Sequence, residues 1–69
     1  MKVGDLVRLS AAGERVHEHY RLRGKMGLII KINDKGIYPY IVQWIGVRQP
    51  RKNYFSRRHL KYVYKQYGP

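Results

Sequence analysis

Apolar residues recur along the chain in short runs that are separated by polar turn residues, a pattern typical of β-strands. The runs at 3–9, 25–33 and 37–45 are rich in branched aliphatic and aromatic residues and predict three strands. Asn33-Asp34-Lys35-Gly36 predicts a tight hairpin between the second and third, because Asn, Asp and Gly tolerate turn backbone angles. Gly4-Asp5 likewise predicts a turn beside the first strand.

The third run can be divided between two faces, because side chains alternate along a strand. Pro39 has no backbone N–H to donate, so its end of the strand is expected at a sheet edge. We expect one face to hold Tyr38, Tyr40, Val42 and Trp44, and the opposite face to hold Ile41, Gln43 and Ile45.

The polar segment 10–24 separates the first two strands and leaves two structures open. It fits a short helix from about Glu14 to Leu22, or an open loop folded over the barrel; the flanking glycines favour a loop with some helical turn. Near the other end, Ser56–Leu60 suits one helical or 3₁₀ turn before a last short strand, Lys61–Tyr64.

Four or five short strands in 69 residues predict an all-β fold, a small barrel with a long loop after strand 1. Closing the sheet would remove exposed edges. We expect one domain at 1–65, followed by a tail at 66–69. The predicted core consists of Val7, Leu9, Ile29, Ile32, Val42, Trp44, Phe55, Leu60 and Val63.

The charge changes this picture by pointing to a polyanionic partner. The net charge is +11, and residues 48–69 contribute +7 of it without a single acid. Aromatic residues interleave with these cations, which is the composition of nucleic-acid-binding surfaces; a solvated basic face is the alternative. The predicted binding residues, for nucleic acid or an acidic partner, are Lys31, Lys35, Arg48, Arg51, Lys52, Tyr54, Arg57, Arg58, Lys61 and Lys65.

Tyr54 is the best candidate for stacking on unpaired bases, because it alternates with Phe55, which is expected in the core.

A second candidate surface is apolar. If Val42 and Trp44 point inward, Ile41 and Ile45 point outward with Ile37 close by. That face is either covered by the segment 10–23 or exposed as a protein interface.

The sequence argues against an enzyme, a metal site and a membrane protein. Four carboxylates and two serines show no catalytic spacing, there is no Gly-rich phosphate loop, and cysteine is absent. His17 and His19 lack a third ligand with suggestive spacing, so we predict no metal and no cofactor. No apolar run reaches the roughly 18–20 residues of a membrane span, and Asp5 argues against a signal peptide.

Four stretches resemble the SH3-like barrels of the KOW and Tudor group. They are V-G-D-L-V-R-L at 3–9, G-K-M-G-L-I-I-K-I at 24–32, Y-I-V-Q-W at 40–44 and H-L-K-Y-V at 59–63. The resemblance implies an SH3-like barrel that serves nucleic acids, peptides or subunit interfaces. Methyl-lysine readers of that group need a cage of several aromatic side chains with an acid nearby. The chain departs from that pattern, because Asp34 is its only acid after Glu18.

Two of these stretches also resemble single-domain proteins of tailed phages that infect cyanobacteria: P-Y-I-V-Q-W-I-G at 39–46 and R-R-H-L-K-Y-V at 57–63. This resemblance implies a location in the host cytoplasm or the virion. From the basic, aromatic-rich stretch 48–69, we expect a non-enzymatic module that binds DNA or RNA. The alternative is a small protein that binds an acidic host or phage protein as an inhibitor, adaptor or virion component. Neither a membrane nor a small-molecule substrate is expected as a partner.

Overall fold

Five short strands form one antiparallel sheet in the computed structural model, which describes residues 1–49 and 53–63. The strand order is β4-β3-β2-β1-β5. The strands are β1 (Leu6–Leu9), β2 (Gly27–Ile32), β3 (Tyr40–Trp44), β4 (Tyr54–Phe55) and β5 (Leu60–Tyr62). The predicted all-β fold is thereby confirmed. Tyr64, the predicted end of the last strand, and the tail at 66–69 lie outside the described residues.

The first strand begins three residues later than predicted, because a turn occupies its expected start. The amide of Lys2 donates to Asp5 Oδ2 over 2.9 Å, and the Asp5 amide donates to the Lys2 carbonyl over 3.1 Å. Gly4 lies between them with a φ of 96°, a region that favours glycine. The predicted turn at Gly4-Asp5 therefore lies at 2–5 and shortens the strand.

A hairpin joins β2 to β3 as predicted, but its connection spans residues 33–39, so β3 begins at Tyr40 rather than at Ile37. The ladder between the two strands contains a β-bulge. The Lys35 amide donates to Asn33 Oδ1 over 3.2 Å, which stabilises the turn. Ile29 pairs with Val42 and Lys31 pairs with Ile41, so one extra residue, Ile30, enters β2. The bulge leaves Ile30 44% exposed beside Lys31.

The sheet coils around one core, to which all five strands contribute. Phe55 of β4 and Leu60 of β5 belong to the same buried cluster, although their strands stand at the two ends of the sheet order. In a flat sheet these strands would be roughly 19 Å apart at the usual interstrand spacing. The sheet must therefore curve strongly. The buried cluster comprises Val7, Leu9, Leu22, Ile29, Val42, Trp44, Phe55 and Leu60.

The core differs from its prediction at three positions. Ile32 is only partly buried and packs against the cluster from outside. Val63, one residue beyond β5, is half-buried; it lies three positions from the buried Leu60, so alternation places it on the other face. Leu22, which the prediction omitted, is 3% exposed.

The segment between β1 and β2 contains two short helices rather than one helix or an open loop. They are α1 (Ala11–Glu14) and the 3₁₀ helix η1 (His17–Leu22). Ser10 caps α1 by accepting from the Gly13 amide over 3.1 Å. The favoured description, a loop with some helical turn, understates the helix content, because ten of the fourteen residues at 10–23 are helical.

A second 3₁₀ helix, η2 (Arg57–His59), lies at the predicted turn before the last strand. The segment 10–23 packs against it. Ser10 Oγ donates to the Arg58 carbonyl, the Gly13 Cα lies against the His59 carbonyl, and the His19 ring lies 4.9 Å from the Phe55 ring. The two short helices of this segment thus pack beside η2 and the core. None of the helices described at 1–49 and 53–63 has the length and apolarity to cross a membrane.

Candidate functional site

All the predicted basic residues that the structure describes are exposed, but they do not form one cluster. Lys35 lies in the hairpin before β3, and Arg48 lies in the loop after it. The strand β3, five residues and roughly 16 Å long, lies between these two segments. Lys31 is on β2, while Arg57, Arg58 and Lys61 lie on η2 and β5. Arg51, Lys52 and Lys65 lie outside the described residues.

Arg57 is held at the edge strand β5 by two contacts. Its Nη1 donates to the Leu60 carbonyl over 3.0 Å, and its guanidinium carbon lies 5.4 Å from the centre of the Tyr62 ring. A hydrogen bond together with a cation–π contact reduces the freedom of a long side chain. Among residues 1–49 and 53–63, the other guanidinium N–H groups of Arg57 make no hydrogen bond. Tyr62, as its partner, is 47% exposed.

Arg8 adds a further cation beside Lys61, and it was not among the predicted binding residues. It pairs directly with Lys61 in the β1–β5 register, so both side chains leave the same, outer face of the sheet. The alternation Leu6-Val7-Arg8-Leu9 contained the signal for an outward Arg8. Its proximity to Lys61 depends on a pairing between the first and last strands, which alternation does not reveal.

His59 ends η2 directly after Arg58, and its pKa is shifted by its surroundings. Partial burial lowers the pKa of His59 below 6.5, and the neighbouring His19 and Arg58 lower it further. The rings of His59 and His19 are 6.0 Å apart. The His59 ring is therefore less readily protonated than a free imidazole.

A second part of the site crosses the outer face of three strands. Tyr54 of β4 pairs with Ile41 of β3, which pairs with Lys31 of β2, so the three side chains form one row. The Tyr54 side chain is 51% exposed, as expected for a ring that alternates with the buried Phe55. The row therefore places an aromatic ring, an aliphatic side chain and a cation side by side.

A shallow apolar groove continues from that row along the same face. Its walls come from β1, β2 and β3 and include Leu6, Leu28, Gln43 and Ile45. Leu6 pairs with Leu28, and Leu28 pairs with Gln43, so these side chains form a second row across the sheet. Ile45 is 52% exposed beside them.

The three predicted interface isoleucines have different environments. Ile37 is 79% exposed in the hairpin, Ile45 is exposed at the end of β3, and Ile41 is half-buried between its register partners. The segment 10–23, offered as a cover for this face, instead contacts η2 and Phe55. Ile37 and Ile45 are therefore not covered, whereas Ile41 is half-buried, and a protein interface at this face stays a prediction.

His17 and His19 do not converge on a metal site. The His17 ring lies 6.3 Å from the Tyr20 ring, whereas His19 packs on Phe55 and its Nδ1 lies 3.2 Å from the Gly13 carbonyl oxygen. Within 1–49 and 53–63 there is no cluster of three or more His, Asp or Glu side chains able to hold a metal ion.

Fold and surface together define a small, strongly basic all-β protein with cations along one sheet edge and an exposed apolar outer face. Comparison of the chain with family models, curated proteins and solved structures found no match.

Proposed function

We propose that this protein is a non-enzymatic nucleic-acid-binding module that contacts the phosphate backbone through its basic, Tyr-rich C-terminal surface. One observation carries the proposal. Residues 48–69 hold seven cations and no acid, and the four cations of this stretch that the structure describes, Arg48, Arg57, Arg58 and Lys61, are all exposed. An exposed surface with this charge attracts a polyanion whatever its base sequence.

Capture would begin with phosphates at the β5 edge. Arg57 is already oriented by Tyr62 and the Leu60 carbonyl, so less side-chain freedom is lost when it binds a phosphate oxygen. Lys61 and Arg8 extend the positive surface onto the outer face. Each phosphate that a cation neutralises releases counterions, which makes the affinity fall steeply with salt.

We further propose that the chain is an SH3-like barrel, as its sequence resemblance implies. The long segment between β1 and β2, the pairing of β1 with β5, and the 3₁₀ turn before the last strand support it. These barrels serve several kinds of partner, so the resemblance by itself does not choose nucleic acid. The net charge of +11 supports a polyanionic partner, and the proposal takes that partner to be nucleic acid.

The test is fluorescence anisotropy with labelled DNA and RNA oligonucleotides at about 50 mM salt. We expect low-micromolar affinity or tighter, with the logarithm of the binding constant falling linearly against the logarithm of salt concentration. Arg57→Glu combined with Arg58→Glu should weaken binding at least tenfold and reduce the salt slope by about 2.

Lys2→Glu combined with Arg21→Glu is the matched control, because it changes the net charge equally at two exposed residues outside 48–69. This control should lose much less affinity. Equal losses in the two variants would show that bulk charge alone drives binding. No binding of any oligonucleotide at about 50 mM salt would refute the proposed function.

The exposed Ile37 and Ile45 favour a second candidate, a small protein that docks on an acidic host or phage protein. A pull-down with the tagged chain, before and after nuclease treatment, separates the two candidates. A specific protein retained after nuclease treatment and lost with Ile41→Glu, in a variant that remains folded, would favour the second.

A further inference from the structure

We infer that the outer face of β2, β3 and β4 is a binding surface for single-stranded nucleic acid, with unpaired bases on Tyr54, Ile41 and the adjoining groove. The inference rests on the proposed function and deepens it. The β5 edge accounts for attraction to any polyanion, whereas this face would select unpaired bases over a duplex.

The first support is the composition of the face. Tyr54, Ile41 and Lys31 form one row across three strands, and Gln43 and Leu28 form the next. Outward positions on a solvated sheet are usually polar. Here aromatic and aliphatic side chains predominate, with the cation Lys31 beside them.

The second support is that large apolar side chains at and beside this face are exposed, while Ile41 and Leu28 within it are half-buried. Tyr54 is 51% exposed and Ile45 is 52% exposed. Ile30, the extra residue at the β-bulge, is 44% exposed. The helical segment 10–23 packs on η2 and the core instead. Tyr54 and Ile45 thus leave apolar surface in water at the two ends of this face, a feature of binding surfaces.

Charge and chemistry identify the occupant. A second copy of this chain would bring another +11 against the same cations, which disfavours self-association. A duplex presents phosphates but keeps its base faces stacked inside. A single strand presents both, so its bases can cover Tyr54 and the aliphatic groove while Lys31 meets a phosphate.

Gln43 supplies a polar group within this apolar surface. It is exposed, lines the groove and pairs with Leu28 in the register. An amide side chain both donates and accepts hydrogen bonds, so it matches the free Watson–Crick edge of an unpaired base. An acidic protein would match the cations but would gain less from this combination of an aromatic ring and an amide.

The experiment compares a labelled 15-nucleotide oligothymidine with a duplex of equal phosphate number at about 100 mM salt. We expect the single strand to bind at least tenfold more tightly. Tyr54→Ala should reduce single-strand affinity about tenfold, leave duplex affinity unchanged and preserve the salt slope, because stacking releases no counterions. Tyr54→Phe should bind like the unmodified chain.

Tyr20→Ala is the matched control, because Tyr20 is 54% exposed but lies on η1, away from this face. It should leave both affinities unchanged. Thermal denaturation of each variant checks that the fold is kept. In amide NMR spectra, oligothymidine should shift Ile41, Gln43 and Tyr54 of the unmodified chain.

The remaining outcomes overturn the inference in distinguishable ways. If the duplex binds as tightly as the single strand and Tyr54→Ala changes neither, the inference is wrong while the proposed function stands. NMR shifts confined to η2 and β5 would have the same meaning. If neither nucleic acid binds and a nuclease-resistant protein partner is lost with Ile45→Ser, both the inference and the proposed function are wrong.

Discussion

At the scale of single residues, His59 links the electrostatics of the basic surface to the stability of the fold. Its ring lies 6.0 Å from that of His19, and its backbone carbonyl contacts Gly13. Burial, then His19, then Arg58 lower its pKa below 6.5. Protonation of His59 is therefore less favourable in the folded chain than in the unfolded chain.

The stability of the protein should consequently fall as the pH drops below about 6.5. In the window between the unfolded and the folded pKa of His59, the unfolded state binds more protons, so the free energy of unfolding rises with pH. The stability that the neutral ring provides is complete above this window and is lost within it. We expect a lower melting temperature at about pH 5.5 than at about pH 7.5 by circular dichroism.

His59→Gln should flatten this dependence, since the substituted side chain does not titrate. His17→Gln is the control, because His17 is exposed. It should retain the dependence of the unmodified chain. A His59→Gln variant with an unchanged difference in melting temperature between the two pH values would contradict the prediction.

At the scale of elements, the short helices persist because they pack against strands and against each other. α1 has only four residues, too few for a stable isolated helix. It is stabilised by the Ser10 cap and by the close approach of Gly13 to the His59 carbonyl of η2. A side chain at position 13 would overlap that carbonyl, so glycine is required there by packing.

Gly13→Ala should therefore destabilise the protein by about 1–3 kcal/mol, the usual cost of overpacking. Gly36→Ala is the matched control. A Cβ at position 36 would meet nothing closer than the Tyr38 amide nitrogen at 3.8 Å, so this variant should unfold at nearly the same urea concentration as the unmodified chain. Equal urea midpoints for Gly13→Ala and Gly36→Ala would disprove the proposed role of the contact.

The Gln49 side chain stabilises the loop that follows β3. Gln49 Oε1 accepts from the Trp44 amide over 2.8 Å, and Gln49 Nε2 donates to the Trp44 carbonyl over 2.6 Å. The side chain thus pairs with the backbone of the strand as a neighbouring strand would. It fixes the loop that carries Arg48, one of the predicted binding residues.

At the scale of the whole molecule, repulsion among like charges opposes folding. The molecule measures 37 × 25 × 21 Å and carries a net charge of +11. At about 10 mM salt the screening length is about 30 Å, so almost every charge acts on every other. Repulsion of this kind destabilises a compact state relative to an expanded one.

Added salt should therefore stabilise the fold even as it weakens nucleic-acid binding. Raising sodium chloride from about 10 mM to about 300 mM should raise the urea midpoint of unfolding. The increase should be smaller for Arg57→Gln combined with Arg58→Gln, which removes two of the eleven excess charges. A midpoint that does not change with salt would exclude self-repulsion as a significant term.

The strands, the hairpin and most of the core were predictable from local pattern, because alternation and turn chemistry act between near neighbours in the chain. Val7, Leu9, Val42 and Trp44 are buried as their alternation indicates. Leu22 was not predictable from its polar segment, and Val63 was misplaced because the start of the last strand, Leu60, sets which side chains face inward.

The surfaces depend on contacts between residues far apart in the sequence. Residue types and their order in the chain established a strongly basic protein with no acid at 48–69. The pairing of strands placed Arg8 beside Lys61, aligned Tyr54 with Ile41 and Lys31, and left Ile45 exposed. Charge is a property of residue types and is visible without a fold. Adjacency across a sheet follows from register and coiling, which only the packing of the whole chain decides.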